Sequence, residues 1–189
     1  MEPPAITRRR RPFLAPLWLG LLAALLAALL VVGFGLVLYH SAGTTLVLLL
    51  RPGDKDPGTI ADPPLSPEGE ERAQRLARLL GETRPGLGLD AIYVTGDQRA
   101  QQTAAPLAAR LQRHPTVFAA DQAGALAGHL LHEHVGGAVL VIAGEPAFTQ
   151  MLQTLGSAET PGAGVDGSEV IYVVSIPSFG RARLVRLHP

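Results

Sequence analysis

The 189-residue sequence contains no cysteine, and its 16 Lys and Arg residues are balanced by 16 Asp and Glu residues. Without cysteine there can be no disulfide bond, no thiolate nucleophile and no Cys-ligated metal. A formal net charge of zero argues against non-specific nucleic-acid binding, which needs a surplus of basic side chains to neutralise phosphates. The length allows one domain of ordinary size with an appendage, and it is too short for two full domains.

Charged residues are missing altogether from residues 13–39. As a helix this stretch would extend ~40 Å, which exceeds the ~30 Å hydrocarbon core of a bilayer. The alternative is a cleaved signal peptide, but that would have a shorter apolar core and a small-residue cleavage site after it. We therefore predict an uncleaved transmembrane helix over residues 13–39, preceded by a basic segment (1–12) and followed by a linker (40–44).

The four arginines at positions 8–11 predict the orientation of that helix. Because basic residues flank the cytoplasmic end of a membrane span, the N-terminus is expected in the cytoplasm and residues 45–189 outside it. This pattern predicts a single-pass protein of a bacterial-type inner (plasma) membrane.

Residues 45–189 alternate between apolar runs and amphipathic segments. The runs predict strands at 45–50, 91–95, 116–118 and 138–142, and a closing hairpin of 170–176 and 182–187. The amphipathic segments predict helices at 67–81, 98–112, 122–134 and 146–155. Such alternation is typical of an α/β domain with three layers, in which helices cover both faces of a mostly parallel sheet.

Charged residues follow three of the predicted strands: Arg51, then Asp97 and Arg99, then Glu145. Ligands of open α/β sheets bind at the carboxyl ends of the strands, and two guanidiniums there form a candidate anion site. The alternative, that both arginines are solvated loop residues, remains open on spacing alone.

Four segments resemble the histidine phosphatase superfamily (phosphoglycerate mutase-like): TLVLLLRPGDK (45–55), DPPLSPEGE (62–70), AIYVTGDQRAQQTAAPL (91–107) and VLVIAGEP (139–146). The resemblance covers residues 45–187 in order and spacing. It implies the fold of that superfamily and a phosphate clamp that includes Arg51 and Arg99.

The chain departs from the superfamily pattern at both histidines. The resemblance implies that Pro52 stands where the superfamily has its phosphoryl-accepting histidine. It likewise implies that Glu145 stands where the superfamily has its second histidine. Proline has no nucleophile, and a carboxylate repels a phosphate dianion. We therefore expect Glu145 to lie where the superfamily binds phosphate and to form an ion cluster with Arg51 and Arg99.

Two other acidic residues could take part in chemistry. Asp54 could form an acyl-phosphate if its side chain entered the pocket, and Asp97 could be a general acid. For Asp97 we favour a cap on the helix that begins at Gln98. His129, His132 and His134 are close in sequence, but their spacing favours surface histidines at a helix end over a metal site.

These residues predict a membrane-anchored pseudo-phosphatase with a binding or regulatory role and no metal or cofactor. Its partner would be an unknown protein or a small anion. The alternative is an active phosphomonoesterase of the superfamily with a non-standard nucleophile.

Overall fold

The computed structural model describes residues 17–41, 43–58, 61–81, 88–156, 170–177 and 182–187. The chain divides into two units, Met1–His40 and Ser41–Pro189. Helix α1 (Leu17–Ser41) accounts for the described part of the first unit. The predicted basic segment 1–12 lies outside the described residues.

The prediction of a transmembrane helix over residues 13–39 is wrong. Among the described residues, no helix combines the length and the apolar character that crossing a membrane requires. Absence of charged residues, on which the prediction rested, is not by itself sufficient for a membrane span, which also requires length and apolar character together. The predicted orientation and localisation depended on this helix, and no finding tests them.

The second unit is built on one mixed sheet. The strands of its described part are β1 (Thr44–Leu50), β2 (Ala91–Thr95), β3 (Thr116–Phe118), β4 (Ala138–Ile142), β5 (Ile171–Pro177) and β6 (Arg183–Leu187). Their order is β3-β2-β4-β1-β5-β6. The pairs β3–β2, β2–β4 and β4–β1 are parallel, and β1–β5 and β5–β6 are antiparallel. Strand β4 is buried at every position because it is central and covered on both faces.

Four α-helices connect the strands in the described part of this unit: α2 (Pro67–Gly81), α3 (Gln98–Leu111), α4 (Ala123–Glu133) and α5 (Ala147–Thr154). Helix α2 begins where expected, because the Ser66 hydroxyl accepts a hydrogen bond from the Gly69 N–H at 3.1 Å and Pro67 suits the first helical position. Helix α3 ends at Leu111 and is capped by Gln112, whose φ of 52° lies in the left-handed region.

Apolar side chains pack on both faces of the sheet. On one face, α2 and α3 pack against the sheet through residues that include Leu76, Ala104, Leu107, Leu50 and Leu140. On the other, α4 and α5 contribute Leu130, Phe148 and Met151, which pack with Val47, Val139 and Tyr172. The described part of this unit is therefore a mixed α/β sheet covered by helices, whereas the sequence predicts a mostly parallel sheet. It brings the carboxyl ends of the parallel strands β1, β2 and β4 to one edge of the sheet.

Candidate functional site

The charged residues that follow β1, β2 and β4 surround one cavity of about 420 Å³. Its lining consists of Arg51, Pro52, Gly53, Asp54, Asp97, Arg99, Gly144 and Glu145. All six predicted site residues, Arg51, Pro52, Asp54, Asp97, Arg99 and Glu145, are therefore among its lining residues. Parallel strands place their carboxyl ends side by side, which is why residues far apart in sequence meet here.

Arg51 is held on two sides at the end of β1. Its NH2 donates a hydrogen bond to Glu145 Oε1 at 2.7 Å, and the two charges form an ion pair. Its guanidinium carbon also lies 4.8 Å from the centre of the Phe148 ring, at the distance of a cation–π contact. Phe148 is fully buried in the core beneath the site, so the guanidinium is supported by a rigid neighbour.

Glu145 uses both of its carboxylate oxygens. Oε1 accepts from Arg51, and Oε2 accepts from the Thr149 hydroxyl at 2.7 Å. Thr149 lies one turn along, in α5, so the start of this helix fixes the carboxylate in its position against Arg51. Sequence reasoning placed Glu145 correctly beside Arg51 but missed Thr149, whose i+4 spacing was the available signal.

Arg99 does not join this ion pair. Its NH1 donates to the Gly53 carbonyl at 3.4 Å, a long hydrogen bond. Its Nε is buried and has no hydrogen-bond partner. A buried donor without a partner costs about 1–3 kcal/mol. The expected cluster of Glu145 with both arginines is thus reduced to one pair, because Arg99 is directed towards the loop after β1.

Asp97 caps α3. Its Oδ2 accepts from the Ala100 N–H at 3.1 Å, and its Oδ1 accepts a hydrogen bond from the Thr95 hydroxyl. Its backbone is extended, as is usual at an N-cap. A second carboxylate, Asp62, accepts from the Gln98 N–H at 3.0 Å. Two carboxylates of the protein, Asp62 and Asp97, therefore already accept hydrogen bonds from the N–H groups at the positive end of the α3 dipole.

The loop that follows β1 is packed and hydrogen-bonded. Pro52 is buried, and its carbonyl accepts from Arg72 NH1 at 3.5 Å. The Gly53 N–H donates to the Thr103 hydroxyl at 3.0 Å. A Cβ on Gly53 would lie 2.8 Å from Leu65 Cδ2, so only glycine fits without displacement. Sequence analysis did not single out Arg72 and Thr103 as residues that support this loop. The available signal was that each is a polar residue on the apolar face of an amphipathic helix.

The histidines in α4 and directly after it are not among the lining residues of this cavity. His129 Nε2 contacts Glu133 Oε2 at 3.0 Å, and His134 Nε2 lies 3.1 Å from the Tyr93 hydroxyl. Burial, and secondly the charge of Glu133, raise the pKa of Tyr93 above its ordinary value. In the described part of the chain no three His, Asp or Glu side chains are grouped closely enough to hold a metal ion.

Comparison with known proteins shows which family this chain resembles. Residues 52–121 match the model of the "Histidine phosphatase superfamily (branch 1)". The sequence has no significant match among curated proteins. The resemblance to this superfamily that the sequence predicted is confirmed, in the matched segment by sequence and over the domain by fold.

Three solved structures illustrate the likeness in fold. The protein histidine phosphatase SixA, complexed with tungstate, has a TM-score of 0.61 and 22% identity, covering 76% of this chain and 97% of its own. A mycobacterial glucosyl-3-phosphoglycerate phosphatase has a TM-score of 0.60 and 18% identity, covering 77% and 99%. A SixA from Agrobacterium tumefaciens, described as a putative phosphohistidine phosphatase, has a TM-score of 0.56 and 22% identity, covering 77% and 99%. At these identities the likeness is one of fold.

Proposed function

We propose that this chain is a histidine-phosphatase-like protein that does not transfer phosphoryl groups and that acts by binding, with a small anion or a protein as its partner. The observation that carries the proposal is the ion pair between Arg51 and Glu145 at 2.7 Å. One of the two guanidiniums at the candidate anion site is thereby already bound to a carboxylate of the protein. An incoming phosphate would have to displace that carboxylate from Arg51.

The electrostatic penalty for phosphate supports the proposal. Two unit charges 4 Å apart interact by about 4 kcal/mol at the effective dielectric constant near a protein surface. A phosphate dianion at Arg51 would meet Glu145 at such a distance, because Glu145 already contacts Arg51 directly. The repulsion therefore offsets much of the attraction that Arg51 and Arg99 could offer.

The lack of a suitable nucleophile points the same way. Pro52 has no group that could accept a phosphoryl group, and covalent phosphoryl transfer requires one. Both carboxylate oxygens of Asp97 and of Glu145 accept hydrogen bonds from the protein. Accepting these hydrogen bonds stabilises the negative charge of each carboxylate and makes it a weaker nucleophile.

The alternative function is phosphomonoester hydrolysis with Asp54 as the nucleophile. It is favoured by one observation, that Asp54 lines the same cavity two residues after Pro52. Several of the structural neighbours are described as phosphatases, which also agrees with it, and two of these structures hold tungstate and VO3. Hydrolysis would then depend on both Asp54 and Arg51.

The test is hydrolysis of an aryl phosphate by the purified full-length chain, with Arg51→Ala and Asp54→Asn as matched variants. We expect the unmutated protein to release no more product than Arg51→Ala, whose activity defines the background. The variant Glu71→Gln, which removes an exposed carboxylate that does not line the cavity, controls for contamination between preparations. Turnover that disappears in Arg51→Ala would refute the proposal, and its loss in Asp54→Asn as well would establish the alternative.

A further inference from the structure

The cavity that Arg51, Arg99 and Glu145 line carries more negative than positive side chains. Its lining has two guanidiniums, on Arg51 and Arg99, and three carboxylates, on Asp54, Asp97 and Glu145. These formal charges give the lining a net charge of −1. Arg51 is neutralised by Glu145, so Arg99 is the lining cation that forms no ion pair with any described carboxylate.

Arg99 has donor capacity that the protein does not use. Its Nε is buried without a hydrogen-bond partner, and its NH1 makes only the 3.4 Å contact with the Gly53 carbonyl. An arginine can donate two parallel N–H groups to the two oxygens of one carboxylate. One guanidinium of this kind matches the charge and the shape of a single carboxylate.

From this distribution of charge we infer that the cavity binds the carboxylate of a small organic monoanion through Arg99 and discriminates against phosphate dianions. The inference rests on the proposed function, since a phosphate substrate would need both guanidiniums. A monocarboxylate brings one negative charge and leaves the Arg51–Glu145 pair intact. A phosphate dianion brings two negative charges next to Glu145. The repulsion between these like charges disfavours the binding of phosphate.

The experiment follows the Arg99 Nε–H signal in the NMR spectrum of the ¹⁵N-labelled full-length protein, assigned by its loss in Arg99→Lys. Sodium acetate and sodium phosphate are titrated separately, at constant ionic strength and mildly alkaline pH. We expect acetate to shift the signal and to bind at least about tenfold more tightly than phosphate. In Glu145→Gln the order should reverse, because Arg51 is released and the repulsion is removed.

A matched control is Glu133→Gln, which neutralises a carboxylate outside the cavity and should leave the preference unchanged. Phosphate binding as tight as acetate binding, or no shift of the Arg99 signal with either anion, would overturn the inference. So would unchanged acetate affinity in Arg99→Lys, measured by calorimetry, since lysine keeps the charge but lacks the paired donors. Aryl phosphate hydrolysis on the same preparations separates the two ideas: activity that depends on Arg51 refutes the proposed function, whereas tight phosphate binding without hydrolysis refutes this inference alone.

Discussion

The ion pair between Arg51 and Glu145 should contribute a measurable but modest free energy to the stability of the domain. At the pair's 2.7 Å contact, charge centres about 4 Å apart would attract by about 4 kcal/mol at an effective dielectric constant of 20. The Glu145 side chain, however, is 50% exposed and that of Arg51 is 26% exposed, so water screens the attraction. Measured couplings of such pairs reach about 1 kcal/mol at most, and we expect about 0.5–1 kcal/mol here.

A double-mutant cycle with Arg51→Met and Glu145→Gln measures this coupling directly. Urea unfolding would be followed by near-ultraviolet circular dichroism, which reports on the packing of the buried tyrosines. The control cycle uses Arg75 and Glu71, a pair 3.9 Å apart on the exposed face of α2, where we expect no measurable coupling. A coupling for the first pair that is no larger than that of the control would refute the claim that Glu145 holds Arg51.

Three further outcomes are expected from urea unfolding. Thr103→Val should destabilise the domain by about 1–3 kcal/mol, because it leaves the buried Gly53 N–H without its acceptor. A loss of stability near zero would mean that another group accepts this hydrogen bond in the variant. Asp97→Ala should lower the free energy of unfolding by about 0.5–2 kcal/mol through loss of a helix cap, whereas Asp97→Asn should keep most of the stability of the unmutated protein. Equal losses of stability in both variants would contradict the capping role. Because burial and, secondly, Glu133 raise the pKa of Tyr93, the stability it contributes is complete below its unfolded pKa near 10 and is lost as pH rises through the folded value. Stability should therefore fall more steeply above about pH 10 in the unmutated protein than in Tyr93→Phe, and parallel curves would exclude this role.

The strands were the most predictable part of this chain. Both β2 and β4 begin and end where the apolar runs predict. Central strands are buried on both faces, so their sequence is a continuous apolar run that stops where the chain reaches solvent. Helix α5 begins at Ala147, one residue after the predicted Pro146, which is within the usual uncertainty of helix ends.

The partners of polar side chains were less predictable. Sequence reasoning paired Glu145 with both arginines, but the structure pairs it with Arg51 alone and directs Arg99 to the Gly53 carbonyl. It also missed the buried Arg72 beneath the Pro52 carbonyl. Hydrogen bonds depend on positions within tenths of an ångström, and sequence spacing does not fix positions that closely between separate strands.

By itself, the sequence determined the α/β class, the edge of the sheet at which charges collect, and the lack of an imidazole at positions 52 and 145. These properties follow from hydrophobic periodicity and from residue identity, both of which are local. Only the tertiary structure decided which arginine Glu145 neutralises and which one donates to the Gly53 carbonyl instead. It decided this because residues 51, 99 and 145 come from three different strand ends, and the packing of the sheet and helices sets the distances among them.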